Sequence, residues 1–134
     1  MVSGISTLEK AASVYSVLVG ISMLALWILL ISTSSVEEFD TRPIEIVLHI
    51  AAESITGILL LTGGLMMWRA YRLRYPIYFM SLGMLFYTSI VSPGYYADKG
   101  EWPVVAAFGA ILLAGIALTV LLLFKNPKNT EGSG

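Results

Sequence analysis

Four long apolar segments, separated by short links that hold most of the charged residues, constrain the fold of this chain more than any other feature. The segments cover approximately residues 12–33, 44–68, 77–92 and 104–124, and the third is the shortest. A helix needs about 20 residues to cross a hydrocarbon layer about 30 Å thick. The sequence therefore predicts an all-α fold, an integral membrane four-helix bundle with short loops.

Composition agrees with this fold class. Hydrophobic residues make up 57% of the chain and charged residues only 13%, whereas about a quarter of the residues in a soluble domain are charged. The links between segments are too short to bury a core of their own. We expect residues 1–125 to form a single four-span domain, followed by a disordered cytoplasmic tail over residues 126–134.

The basic residues predict the orientation of the chain. With four spans, only Arg42 and Lys99 fall on one side, and the other side holds Lys10, Arg69, Arg72, Arg74, Lys125 and Lys128. Lys and Arg in short loops near span ends favour the cytoplasmic face. The sequence thus predicts a multi-pass protein of the cell membrane with both termini in the cytoplasm.

Prolines help to place the ends of the predicted helices. Pro43, Pro76 and Pro103 lie where spans two, three and four begin, and a helix tolerates proline in its first turn because the N–H there has no helical acceptor. The Ser92–Pro93–Gly94 run is predicted to form a turn that closes the third span.

The cysteine content and the net charge of the chain bear on which classes of function to expect. It contains no cysteine, which excludes disulfides, thiolate metal sites and dithiol redox chemistry. A net charge of −1 gives no reason to expect nucleic acid as a partner. We expect the lipid bilayer as the main partner, a homo-oligomer or a larger membrane complex as the assembly, and no cofactor; whether a metal is bound stays open.

One chemical constellation stands out on the second span. Glu45, His49, Glu53 and Gly57 recur every four residues, which places them on one face of a helix. Glu53 lies about 13 Å along that helix from Ile44, near the middle of a bilayer. The second span is therefore the one predicted to carry ionisable groups into the hydrocarbon.

An ionisable group at that depth costs on the order of 3 kcal/mol, so it should face the bundle interior. Thr56 shares its face, and Ser22, Trp27, Met84 and Tyr87 lie at matching depth on neighbouring spans. We predict a ligand- or proton-binding site of Glu53, His49, Thr56, Tyr87, Ser22 and Trp27. The alternative is a polar pair that only fixes the helix register.

Small residues predict where helices approach one another. The fourth span carries Ala106, Ala110, Ala114 and Ala117 at helical spacing. Because small side chains let helix backbones come close in lipid, this ridge is predicted to pack inside the bundle rather than to contact a ligand or another subunit.

Four functions are compatible with these features, and a binding, transport or accessory protein is favoured over an enzyme. A binding protein or proton-coupled transporter using Glu53 is favoured; in size and layout the chain resembles the small multidrug-resistance transporters, although their essential Glu lies on the first span. The His49–Glu53 pair resembles one motif of the sterol isomerase and sigma-2 receptor superfamily, which implies a lipid- or sterol-handling enzyme such as an isomerase. A haem- or quinone-binding protein and a non-catalytic accessory subunit are the other two alternatives.

Overall fold

The computed structural model describes residues 4–125, and within this range the chain is all-helical, with five helices. They are α1 (Thr7–Ser32), α2 (Glu38–Thr41), α3 (Pro43–Trp68), α4 (Arg74–Asp98) and α5 (Trp102–Leu123). All but the short α2 are long and apolar enough to cross a membrane, which confirms the helical fold class. The tail predicted over residues 126–134 lies outside the described residues.

The four long helices form a ring in chain order, α1, α3, α4 and α5. Each helix runs antiparallel to the one before it. Helix α3 packs against α1 and α4, and α5 packs against α4 and, over a smaller area, against α1. We call the end that carries α2 and the link from α4 to α5 the α2 end. The opposite end carries the start of α1, the link from α3 to α4 and Lys125, and we call it the Glu9 end.

Helices α1 and α3 approach closely because glycines lie at their contact. A Cβ added to Gly20 would lie 2.8 Å from the carbonyl oxygen of Gly57, and one added to Gly64 would lie 3.0 Å from that of Ser13. The short separation lets α1 hydroxyls reach α3 carbonyls: Ser13 donates to Gly64 and Ser16 to Leu60, each at 2.6 Å. This is the small-residue packing expected between helices in lipid.

A buried carboxylate joins three helices at the Glu9 end. Glu9 forms a capping box with Ser6 at the start of α1, which satisfies two backbone donors of the first turn. Its carboxylate also accepts a hydrogen bond from the Tyr75 hydroxyl. The Arg74 guanidinium lies 3.5 Å and the Lys125 ammonium 3.3 Å from its oxygens. Glu9 thereby ties the ends of α1, α4 and α5 together.

We expect Glu9→Gln to lower the free energy of unfolding by about 1 kcal/mol, because the neutral amide loses charge-assisted bonds to Tyr75, Arg74 and Lys125. Thermal unfolding in detergent micelles measures the change. Lys10→Gln alters the charge of the neighbouring residue, which is exposed, and serves as the control. An equal loss in the two variants would show that removing any charge at this end costs the same stability, and that the Glu9 contacts are not responsible.

Helix α4 is longer than predicted. The prediction of a turn at Ser92–Pro93–Gly94 is wrong, because α4 continues through Pro93 to Asp98. Proline inside a helix removes one N–H, but membrane helices tolerate this loss when neighbouring groups satisfy the freed carbonyl. Beyond Pro93, Tyr96 is buried and stacks on Phe108 of α5, so packing holds the last turn of α4 in the bundle.

The predicted ridge of alanines on α5 does not pack inside the bundle. The predicted ridge is exposed at all four of its positions, Ala106, Ala110, Ala114 and Ala117. The residues of α5 that are buried are Gly115 and Leu122, on the opposite face. The bundle packing predicted for the ridge is therefore wrong, because helical spacing of small residues identifies a face but not its neighbour.

Candidate functional site

Glu53 is the centre of the most polar part of the bundle interior. It lies on the face of α3 that is enclosed by α1 and α4, and it is 5% exposed. A carboxylate at such a position must be compensated by hydrogen bonds or by an opposite charge. The described structure supplies hydrogen bonds, and it supplies an opposite charge when His49 is protonated.

Four donors from three helices surround the Glu53 carboxylate. From α1, the Trp27 indole N–H donates to Oε2. From α4, the hydroxyls of Thr88 and Ser92 donate to Oε1 at 2.8 and 2.5 Å, and they lie 3.0 Å from each other. From α3 itself, His49 Nε2 lies 3.2 Å from Oε1. This arrangement stabilises an ionised carboxylate, because every one of these partners has a proton to donate.

His49 connects the buried carboxylate to the surface of the bundle. Its side chain is 31% exposed, whereas that of Glu53 is 7% exposed. The imidazole ring also meets the Trp27 ring edge-on, with centroids 5.7 Å apart. Trp27 thus holds both members of the pair, the carboxylate through its N–H and the imidazole through its ring.

A cavity of about 600 Å³ opens beside this pair, between α3 and α4. The ionisable residues of its wall are Glu45, His49 and Glu53. The rest of the wall is mainly apolar and includes Leu48, Phe79, Met80, Met84, Tyr87 and Val91. Cavities that hold drug-sized ligands have volumes of about 300–1,000 Å³ and apolar walls with few polar groups. This cavity, which we call the groove, has both properties.

A second cavity, of about 470 Å³, lies at the α2 end. We call it the vestibule. It is bordered by charged residues from three elements, and among its lining are Glu38, Arg42, Asp98 and Lys99. The groove and the vestibule share Glu45, His49 and Val91 in their walls. The His49 imidazole therefore lies where the polar and the apolar cavity meet.

Comparison with known proteins identifies the family of the chain. A family model described as a domain of unknown function, DUF8058, matches residues 6–133. The chain belongs to this family. The match extends over nearly the whole chain and includes every residue around Glu53. No curated protein and no solved structure matches the chain.

The residues predicted for the site are only partly brought together. Trp27, His49 and Glu53 are in direct contact. Thr56 and Tyr87 line the groove without bonding to Glu53: Thr56 donates to the carbonyl of Ala52, and Tyr87 is 70% exposed.

Ser22 is not brought into contact with Glu53. It is exposed and donates to the Leu18 carbonyl of its own helix. Serine and threonine often make this bond to the preceding helical turn, and depth along the first span could not distinguish it from a contact with Glu53.

Two of the four donors to Glu53, Thr88 and Ser92, are not among the residues predicted from the sequence. A signal for them exists, since Ser81, Thr88, Ser89 and Ser92 fall on one face of α4 and all four are buried. Helix α4 is the least apolar of the four long helices, yet it has the largest buried share. A polar stripe on a weakly apolar span indicates that this stripe faces inward.

A metal site is not supported by the described residues. Among residues 4–125, no group of three or more His, Cys, Asp or Glu side chains is placed to hold an ion. Hydroxyl, indole and imidazole donors compensate the Glu53 carboxylate instead.

Proposed function

We propose that the protein is a multi-pass membrane protein with both termini in the cytoplasm. Four helices of sufficient length and apolar character support insertion. The distribution of charge supports the orientation: among the residues of the links and ends, Arg and Lys predominate at the Glu9 end and Asp and Glu at the α2 end. Positive residues favour the cytoplasmic side, so the α2 end faces away from the cytoplasm.

Within that membrane, we propose that the protein binds a small ligand in the groove, in exchange for a proton. The observation that carries this proposal is His49, a half-buried imidazole at the wall of the groove, backed by the buried Glu53 carboxylate. Such a pair has two states: a protonated imidazole neutralises the carboxylate, and a neutral imidazole leaves a negative charge beside the cavity.

The charge of the pair indicates which ligands fit. When His49 is neutral, Glu53 and the nearby Glu45 favour a ligand with a positively charged group. The apolar wall favours a ligand whose remaining body is hydrocarbon, and flexible Met80 and Met84 can adjust to its shape. We therefore propose an amphipathic cation as the ligand class, with binding that weakens when His49 is protonated.

Calorimetry with octyltrimethylammonium tests this proposal, because the charge of the probe does not titrate. Titrations of the protein in lipid nanodiscs, made in buffers of different ionisation enthalpy, give both affinity and protons released. We expect saturable binding with proton release near neutral pH, where the imidazole changes charge. Glu53→Gln should weaken binding about tenfold, a loss of about 1.4 kcal/mol.

Two further variants make the outcome specific. His49→Ala should bind the probe without releasing a proton, because the exchanging group is gone and Glu53 remains. Glu101→Gln, at an exposed acid outside both cavities, should behave as the wild type. Absence of saturable binding to the wild type, or full proton release from His49→Ala, would overturn the proposal.

A structural accessory role is the second candidate, and one observation favours it. The Glu53 carboxylate bonds to α1 through Trp27 and to α4 through Thr88 and Ser92, so it links three helices whatever binds nearby. If Glu53 acts only in this way, Glu53→Gln lowers stability while the probe shows no saturable binding to any variant. Transport and an oligomeric state stay predictions from the sequence.

A further inference from the structure

We infer that the His49–Glu53 site exchanges protons with one side of the membrane only, the side of the α2 end, and that His49 is the group that exchanges. This inference rests on the proposed membrane insertion, and it deepens the proposed function by assigning the direction of access. It does not depend on which ligand occupies the groove.

The first argument is the continuity of the two cavities. The vestibule lies at the α2 end and reaches His49, and the groove continues from the same residue along α3 and α4. Charged side chains border the vestibule, so water and protons can reach the imidazole from that end. Along α3, Glu53 lies about 15 Å from Pro43 at that end.

The second argument is the packing on the other side of Glu53. Toward the Glu9 end, the interior is packed with Leu60, Met67, Tyr78, Leu82 and Leu85, each 0–1% exposed. The buried hydroxyls of Ser13, Ser16 and Ser81 lie in the same part of the bundle, and each of them donates to a helix carbonyl. This stretch continues for about 23 Å along α3, from Glu53 to Trp68. Close-packed apolar side chains leave no room for a chain of water molecules, so protons from the Glu9 end meet a barrier.

The third argument identifies His49 as the exchanging group. Each carboxylate oxygen has two lone pairs, and three donors meet at Oε1 of Glu53. The two hydroxyls, at 2.5 and 2.8 Å, are closer than the imidazole at 3.2 Å. Glu53 therefore keeps its hydrogen bonds when His49 loses its proton. Glu53 itself is shielded by Trp27, Thr88 and Ser92.

Charged groups facing His49 come from several elements. On α3 these are Glu45 and Glu53, and α1 contributes the uncharged ring of Trp27. Across the vestibule lie Glu38 of α2, Arg42 before α3, and Tyr95, Asp98 and Lys99 of α4. The ion pairs Arg42–Glu45 and Lys99–Glu38, at 3.6 and 3.5 Å, engage both cations of this set. The balance of charge favours protons entering from this end.

The composition of the chain makes the inference directly measurable. His49 is its only histidine and it has no cysteine. Isotope-labelled histidine therefore reports the protonation of His49 by NMR without assignment. Glu101→Cys, at the α2 end, gives one site for a maleimide that cannot cross membranes, and its labelling measures the fraction of molecules with that end outside.

The experiment uses this variant in sealed lipid vesicles whose internal pH is buffered. The external pH is stepped from about 8 to about 5, the range over which histidine changes charge. We expect the fraction of His49 that becomes protonated to equal the fraction labelled by the maleimide. Addition of a proton ionophore should then protonate the rest. Protonation of all molecules before the ionophore, or of the unlabelled fraction alone, would overturn the inference, as would an imidazole that never titrates.

A pair of tryptophan variants tests whether protons reach His49 through the vestibule. Val91→Trp places a large ring where groove and vestibule meet, and should slow protonation of His49 about tenfold after the external step. Ile90→Trp changes the adjacent exposed residue, which lines neither cavity, and should leave the rate unchanged. Equal rates in the two variants would exclude the vestibule as the path. One-sided protonation without octyltrimethylammonium binding would reject the proposed function and leave this inference standing.

Discussion

Replacing Glu53 by alanine is expected to lower the free energy of unfolding by about 3–5 kcal/mol, the range measured when one partner of a buried charged network is removed. The carboxylate is the common acceptor for donors from α1, α3 and α4. Without it, the buried Trp27 N–H and the half-buried His49 imidazole lose their acceptor, and the variant also leaves a cavity. Unfolding by increasing mole fractions of sodium dodecyl sulfate in mixed micelles measures the loss.

Glu45→Ala is the matched control for this result. Glu45 lies two helical turns earlier on the same face of α3, but its side chain is 71% exposed, and among residues 4–125 it forms an ion pair only with Arg42. Exposed pairs of this kind contribute at most about 1 kcal/mol. If both variants lost the same stability, the Glu53 network would not be what holds the three helices together.

Gly20→Ala is expected to lower the free energy of unfolding by about 1–3 kcal/mol, the usual result of adding a methyl group to a close-packed contact. The added Cβ would lie 2.8 Å from the Gly57 carbonyl oxygen and 3.2 Å from the Leu60 Cβ. One of these atoms is backbone, so α1 and α3 must move apart. That movement would also lengthen the hydrogen bond from Ser16 to the Leu60 carbonyl.

Gly83→Ala makes the same chemical change in α4, where no described atom beyond the adjacent residues and the nearby backbone of that helix lies within 4 Å of the added Cβ. Because alanine favours the helix over glycine by up to about 1 kcal/mol, this variant should be as stable as the wild type or more so. A loss of stability for Gly20→Ala together with no loss for Gly83→Ala would show that the contact between α1 and α3 at Gly20 requires glycine. A gain in stability for Gly20→Ala would show that α1 and α3 have room to spare.

The sequence predicted the helices well and the interior of the bundle only in part. Apolar length placed all four long helices, because a run of about 20 apolar residues has few other stable arrangements. The predicted end of the third span, at Pro93, was wrong, because the sequence does not distinguish a proline inside a helix from one that ends it. The packing of Tyr96 on Phe108, which keeps the last turn of α4 in the bundle, is visible only in the structure.

The centre of the site was predictable, but its surroundings were not. Glu53 and His49 were identified because four-residue spacing fixes their relation on one helix. Trp27 was proposed by depth alone, as was Ser22, and only the contacts separate the two. Thr88 and Ser92 come from another helix, and the rotation of that helix about its axis is set by tertiary packing.

Helix α5 contributes none of the donors to Glu53, and this has a consequence for how the protein is made. Every described partner of that carboxylate lies within residues 27–92, and α5 begins only at Trp102. The first three long helices can therefore assemble their polar centre before α5 packs against them. The last helix then docks through Gly115 and Leu122, and the Lys125 contact with Glu9 joins the end of α5 to the start of α1.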